Sequence, residues 1–262
     1  MDLGARRLIV AIATVVIWAT ITMAGGLIQA GPGTSLNELV TQQLLWGTPA
    51  AAAFLLIVAW MMGWHDLGFR KPQIAGMWKL IWLPSLYIIG FFAFGISNAS
   101  SSLTATMVVA VMLNTLVVGF SEELAFRGVL WGGARKLFSF WPAAILVCLF
   151  FGSVHIANGF LTGQFEEAVR QAILASMSGL SFLAIRIRTA SLYPAMIIHW
   201  LWDFGIFMMG AGKTIAPSGD SSFLAGIAGG LVFVGPVFLF GLYLLRNEAV
   251  RTGWKDDGRA AA

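Results

Sequence analysis

Six ionisable side chains stand inside otherwise apolar stretches of the sequence: Glu122, Glu123, Arg127, His155, His199 and Asp203. Such groups cost at least about 2.5–3.5 kcal/mol each at the centre of a membrane helix, so they turn toward a protein interior or a wet cavity and find partners there. Their spacing is helical. Glu123 and Arg127 are four residues apart, as are Phe151 and His155, and His199 and Asp203, so each pair shares a helix face. Glu122 is turned about 100° from Glu123, which lets the arginine hold one carboxylate while the other faces a cavity. Amide hydrolysis needs an activated water, a proton shuttle and stabilisation of a developing oxyanion, and one carboxylate with two imidazoles can supply them. If a divalent metal such as Zn2+ takes part, His155, His199 and Glu122 are the ligands the sequence offers, with a position left for water. The His-Glu-x-x-His pattern of soluble zincins is absent. The metal-dependent and the metal-free glutamate readings both stand at this point.

The chain around these residues is membrane-like. Of 262 residues 58% are hydrophobic and 11% charged, with eleven Trp and twenty Phe, against about 25% charged in soluble domains. A hydrocarbon core about 30 Å thick needs roughly 20 apolar residues per helix, and lipid admits only helices or closed barrels. The long apolar runs predict an all-α polytopic membrane protein, a bundle of about eight transmembrane helices with an intramembrane polar cavity. The spans are expected near 8–28, 42–63, 77–96, 103–123, 140–158, 168–186, 191–210 and 223–245. The whole chain, 1–262, reads as one transmembrane domain, with the motif-bearing core at about 103–210 and a short polar tail at 247–262. The run after Arg6-Arg7 is too long for the h-region of a signal peptide and reads as the first span. Cys148 is the single cysteine, which excludes an intrachain disulfide.

Net charge is +4, but the basic residues are scattered over short connections instead of forming a face for nucleic acid. With the N-terminus inside, fourteen of the sixteen Lys and Arg fall on the cytoplasmic side and only Arg170 and Lys213 fall outside, the bias expected of cytoplasmic loops. Both termini are therefore expected in the cytoplasm. Glu122 lies about 16 residues before the turn that follows Arg135-Lys136, and His155 about 16 after it. At 1.5 Å per residue the two reach one depth, about 20–25 Å up neighbouring antiparallel helices, and His199 reaches about 16 Å from the same side.

Taken in order, Glu122-Glu123-x-x-x-Arg127, Phe151-x-x-x-His155 and His199-x-x-x-Asp203 resemble the three motifs of the CPBP family, the CAAX proteases and Abi proteins, also called type II CAAX prenyl endopeptidases. The likeness covers roughly residues 115–210. It implies a helical intramembrane protease whose site lines a cavity open to the cytoplasm. By motif position it implies Glu122 as the base that activates water, His155 and His199 as groups that position the water or a metal, Asp203 at the oxyanion, and Glu123 and Arg127 in support. The substrate it implies is a membrane-associated peptide or protein, prenylated or otherwise lipidated in some members. The prenyl-protein endopeptidases often carry Asn where this chain has Asp203, and an ionised carboxylate has no hydrogen to donate to an oxyanion.

Plainer roles stand beside these. Glu123 with Arg127 reads equally as a neutralised structural pair, and Phe151 as packing. Asn114 is assigned an interhelical hydrogen bond without a catalytic role. Trp200 and Trp202 read as lipid-facing anchors, and His65, Asp66, Glu166 and Glu167 as solvated span ends. Gly128 to Gly132, Gly159 to Gly163 and Gly226 to Gly230 read as intrachain packing sooner than dimerisation. The alternative to an enzyme is a non-catalytic membrane scaffold, immunity or partner-binding protein of the same fold. A small transporter is a third reading, weakened by the lack of an internal repeat.

Overall fold

The computed structural model describes residues 2–31, 34–72, 76–212 and 222–252, and among these there is helix but no strand. Lys213 and the end of the polar tail, 253–262, lie outside the described residues. The main helices are α1 (Leu3–Gln29), α2 (Leu36–Gln42), α3 (Gly47–Met61), α4 (Trp78–Ser97), α5 (Ala105–Leu137), α6 (Phe140–Thr162), α7 (Phe165–Thr189), α8 (Tyr193–Gly210) and α9 (Phe223–Leu244). The chain is an all-α, multi-pass membrane protein.

The expected count of eight spans is corrected. Among the described residues six helices are long and apolar enough to cross a membrane, α1, α4, α5, α6, α7 and α9, or seven if the bent pair α2 and α3 is one span. The predicted span 42–63 contains α3, whose 15 residues are too short alone and count as a span only with α2 across an 85° bend. α8 has 18 residues but is not among the six, because it gives up apolar positions to His199 and Asp203.

Local chemistry accounts for the break. Ser35 caps α2, with its hydroxyl accepting from the Glu38 amide while the Glu38 carboxylate accepts from the Ser35 amide, a reciprocal box that fixes where the helix starts. At the other end Gln43 is extended. There Asn114 of α5 takes over: its Nδ2 donates to the carbonyls of Val40 and Gln43, both at 2.8 Å, and its Oδ1 accepts from the Leu45 amide at 2.9 Å. The expected interhelical bond is thus a three-point clamp on an elbow whose backbone groups would otherwise be orphaned. Intramembrane hydrogen bonds average about 0.6 kcal/mol, so Asn114→Ala is expected to lower the melting temperature in detergent by a few degrees, read by loss of helical circular dichroism.

α5 is the central rod. Leu124 through Ala134 are all buried, and the stretch Leu124–Leu130 is a π-helical turn. A helix apolar on all sides is one surrounded by others, and this one meets α1, α3, α6, α7 and α8. Gly119 sets the α8 contact. A Cβ there would stand 2.8 Å from the Trp200 amide nitrogen and 3.1 Å from the Met196 carbonyl oxygen, both backbone. At the opposite face of α5, Trp18 Nε1 of α1 donates to Ser121 Oγ at 2.6 Å.

The glycine spacings do pack within the chain: Gly128 faces Leu192 and Leu67, Gly226 faces Arg170, and Gly230 faces Leu174. Trp202 corrects the lipid-anchor reading. It is 8% exposed and packs edge-on against Phe91 of α4 at 5.0 Å. Asp66 is also more than a solvated end, since it takes an ion pair from Arg7 at 3.1 Å.

Candidate active site

Glu122 and Glu123 close the regular part of α5 just before its π-helical turn, and their side chains part as the 100° step requires. Glu123 is fully buried. Its Oε1 accepts from Arg127 Nη1 at 2.9 Å and meets His199 Nδ1 at 2.8 Å. Arg127, also fully buried, sends Nη2 to the Gly179 carbonyl of α7 at 3.0 Å and lies 4.1 Å over the Phe151 ring. Two of its three nitrogens and its flat face are engaged in this way, which makes burial of the guanidinium tolerable, while Nε has no hydrogen-bond partner among the described residues. The i, i+4 pair expected from the sequence is present, and it holds His199 as well.

His199 stands at the centre. Phe182 of α7 stacks on its ring at 4.7 Å and 18°, and Phe151 meets it edge-on at 5.8 Å. With Nδ1 committed to the Glu123 carboxylate, Nδ1 carries the proton and the working nitrogen is Nε2. That nitrogen lies 3.5 Å from Asp203 Oδ2 and 3.7 Å from Glu122 Oε2. Both carboxylates are partly exposed, Asp203 at 22% and Glu122 at 16% of the side chain. Both contacts are longer than a good hydrogen bond, so a water that joins these groups sits beside them, on the cavity side.

His155 sits in a single 3-10 turn, Val154–Ala157, set into α6. Its Nδ1 is 2.8 Å from the Phe151 carbonyl oxygen, which can only accept, so Nδ1 carries a hydrogen. Phe151 lies edge-on to it at 5.2 Å. Phe151 is packing, as expected, but packing that touches both imidazoles and the guanidinium.

Glu122, His155 and Asp203 line one cavity of about 130 Å³. A water needs roughly 10–15 Å³ by this kind of measure, so the cavity admits several. The common depth expected for Glu122 and His155 therefore appears as a shared wall. The rest of the lining mixes amides and hydroxyls, among them Asn114, Asn158, Gln171 and Thr22, with apolar Leu39, Leu161 and Phe207. Asn158 Nδ2 donates to Gln171 Oε1 at 2.9 Å, tying α6 to α7 across this wall.

Among the described residues no three His, Cys, Asp or Glu side chains converge to hold a metal ion. His199 spends Nδ1 on Glu123 and His155 spends Nδ1 on the Phe151 carbonyl, which leaves Nε2 of each ring, the orientation in which a histidine could also hold a metal.

Sequence reasoning did not single out Phe182, Gly119, Gly179 or the Trp18 to Ser121 bond. Each acts across a tertiary contact, so no local spacing announces it. Gly119 carries a prediction of its own. Gly119→Ala wedges α5 off the α8 backbone and pulls the glutamates from His199. A misplacement near 1 Å can cost about 100-fold in rate, so turnover is expected to fall steeply while circular dichroism stays helical.

Residues 104–205 match a protein-family model described as Rce1-like, type II CAAX prenyl endopeptidase Rce1-like. The matched segment contains all six charged site residues and agrees with the family that their motifs resemble. Comparison with curated proteins gave no match.

Proposed function

We propose, from the premise that residues 104–205 form a type II CAAX prenyl endopeptidase Rce1-like domain, that this chain is an intramembrane endopeptidase with Glu122 as its general base. The single observation that carries the reading is the cavity wall shared by Glu122, His155 and Asp203, with His199 Nε2 between the two carboxylates. A water held between Glu122 Oε2 and His199 Nε2 gives its proton to Glu122 as its oxygen bonds to the scissile carbonyl carbon. The carbonyl oxygen takes up the electron pair, and protonated imidazole at His155 or His199 is the donor available to it. When the tetrahedral centre collapses, the C–N bond breaks and Glu122 returns the proton to the leaving amine.

Glu123 acts through His199. By accepting from Nδ1 it fixes the tautomer and aims Nε2 at the cavity, the service a buried carboxylate performs for histidine in serine hydrolases. Arg127 in turn holds Glu123. Asp203, with its oxygen turned to His199 Nε2, is assigned to orienting that ring when Nε2 also carries a proton, which removes the difficulty of an acceptor at the oxyanion.

The substrate is a membrane-associated peptide or protein, and lipidation of it is compatible with the site's depth. The charge bias assigns both termini to the cytoplasm. The test is a peptide-cleavage screen on the purified protein in detergent, with and without chelator and beside Glu122→Ala. Cleavage that Glu122→Ala abolishes supports the reading, and loss on chelation would assign a metal to the site. Cleavage undiminished in Glu122→Ala sinks it. A cellular role that survives loss of Glu122 and His199 would instead favour the scaffold.

A further inference from the structure

Most neutral hydrogen-bond donors that line the cavity are already committed. Asn114 gives both N–H groups to the Val40 and Gln43 carbonyls and its oxygen to the Leu45 amide. Thr22 and Thr115 give their hydroxyl hydrogens to the Trp18 and Val111 carbonyls of their own helices. Thr48, 5% exposed at the start of α3, is the remaining lining hydroxyl. The two carboxamides of Asn158 and Gln171 differ from all of these. Their mutual bond uses one N–H and one oxygen lone pair, which leaves the pair with three N–H groups and the Asn158 oxygen to offer. Among the described residues no other hydrogen bond engages either side chain.

The backbone sets this pair beside His155. Val154–Ala157 is a 3-10 turn, and Asn158 keeps the same dihedrals, with φ of −59° and ψ of −25°. Residues three apart eclipse one another in a 3-10 helix, whereas in an α-helix they diverge by about 60°. Asn158 therefore shares the face of His155, and both line the cavity. Gly159 brings α7 close, since a Cβ there would stand 2.5 Å from the Phe165 ring. Gln171, in the second turn of α7, then meets Asn158 at 2.9 Å. Three residues at about 2.0 Å each set Asn158 roughly 6 Å from His155 along the axis. An oxyanion needs its donors within about 3.1 Å, so the pair stands beyond the bond under attack, at a distance that an extended chain covers in about two residues.

We propose that Asn158 and Gln171 form a main-chain docking subsite, in which Gln171 donates to a carbonyl and Asn158 accepts an N–H of the substrate, about two residues from the scissile bond. A helix uses these groups on itself, so the segment held there is extended. The residue whose N–H is taken is not proline, which has none. The peptide as ligand rests on the endopeptidase reading above.

The probe is a fluorophore-labelled pool of short peptides of randomised sequence, bound in detergent to the Glu122→Gln protein and read by anisotropy, beside a pool whose backbone nitrogens are methylated. Gln171→Glu, added to that protein, keeps an oxygen for Asn158 and the length of the side chain but has no N–H to give. It is expected to weaken binding of the plain pool about 10-fold with the melting temperature kept. The methylated pool should bind weakly from the start and lose little more in the variant, because both changes remove one docked peptide unit. Gln171→Met cuts the tie to Asn158 as well. A lower melting temperature there with plain-pool binding unchanged marks the pair as a structural tie and overturns the proposal. So does a plain pool that the Glu122→Gln protein does not bind, or a loss in Thr48→Val with none in Gln171→Glu. Cleavage of the plain pool by the parent protein is followed in parallel. Binding through the amides without cleavage retires the endopeptidase reading and leaves the subsite standing, whereas cleavage with binding indifferent to Gln171 retires the subsite alone.

Discussion

Glu122→Gln is expected to leave a folded, helical protein whose peptide hydrolysis falls by about 100-fold to 10,000-fold, the range a positioned general base contributes. Gln keeps the shape and the hydrogen-bonding reach of the side chain, so the helices have no reason to move. Glu122 is 16% exposed along its side chain and its nearest charged neighbour, His199 Nε2, is 3.7 Å away, so no buried pair is broken. What disappears is the capacity to take a proton from water and return it to the leaving amine. Single-turnover cleavage of a reporter peptide, with thermal melting beside it, separates this from unfolding. A variant that melts like the parent and cuts at the parent's rate removes Glu122 from the mechanism.

Arg127→Met is expected to fail in the opposite way, through stability. The guanidinium is wholly buried, pairs with Glu123 at 2.9 Å, donates to the Gly179 carbonyl at 3.0 Å and lies over Phe151 at 4.1 Å. Removing one partner of a buried ion pair strands the other, at a cost of about 3–5 kcal/mol. Arg127→Lys should rescue little, because a point charge cannot serve a carboxylate and a carbonyl while stacking on a ring. The double variant Glu123→Leu with Arg127→Leu strands no charge and should recover much of the stability. It should not recover activity, since His199 Nδ1 loses the oxygen at 2.8 Å that holds its tautomer. Stability returning without turnover marks Glu123 as a positioning residue, and both returning together marks the pair as structural only.

The sequence is most legible where a single helix carries the information. Apolar runs locate every long helix, and four-residue spacing pairs Glu123 with Arg127 and His199 with Asp203 correctly. Counting residues from the Arg135-Lys136 turn brings Glu122 and His155 to one wall, because α5 continues unbroken through Gly132-Gly133 to Leu137. The elbow before α3 is not legible, since its cause is Asn114, about seventy residues away in the chain. Nor is the bond from Glu123 to His199, which crosses 76 residues. A pattern within one helix says which side chains share a face, whereas which neighbour that face meets is decided by close contacts such as Gly119 on the α8 backbone. The span count overshoots for a related reason. Hydrophobic length counts the non-helical elbow residues 43–46 with α3 as one rod, and it does not register that α8 gives up apolarity to hold the site.

The 85° elbow leaves α3 with only 15 helical residues. At 1.5 Å each they rise about 22 Å, well short of a hydrocarbon layer about 30 Å thick. A span this short is met by thinning of the bilayer along this flank or by snorkelling of its flanking residues, at a cost of fractions of a kcal/mol per Å.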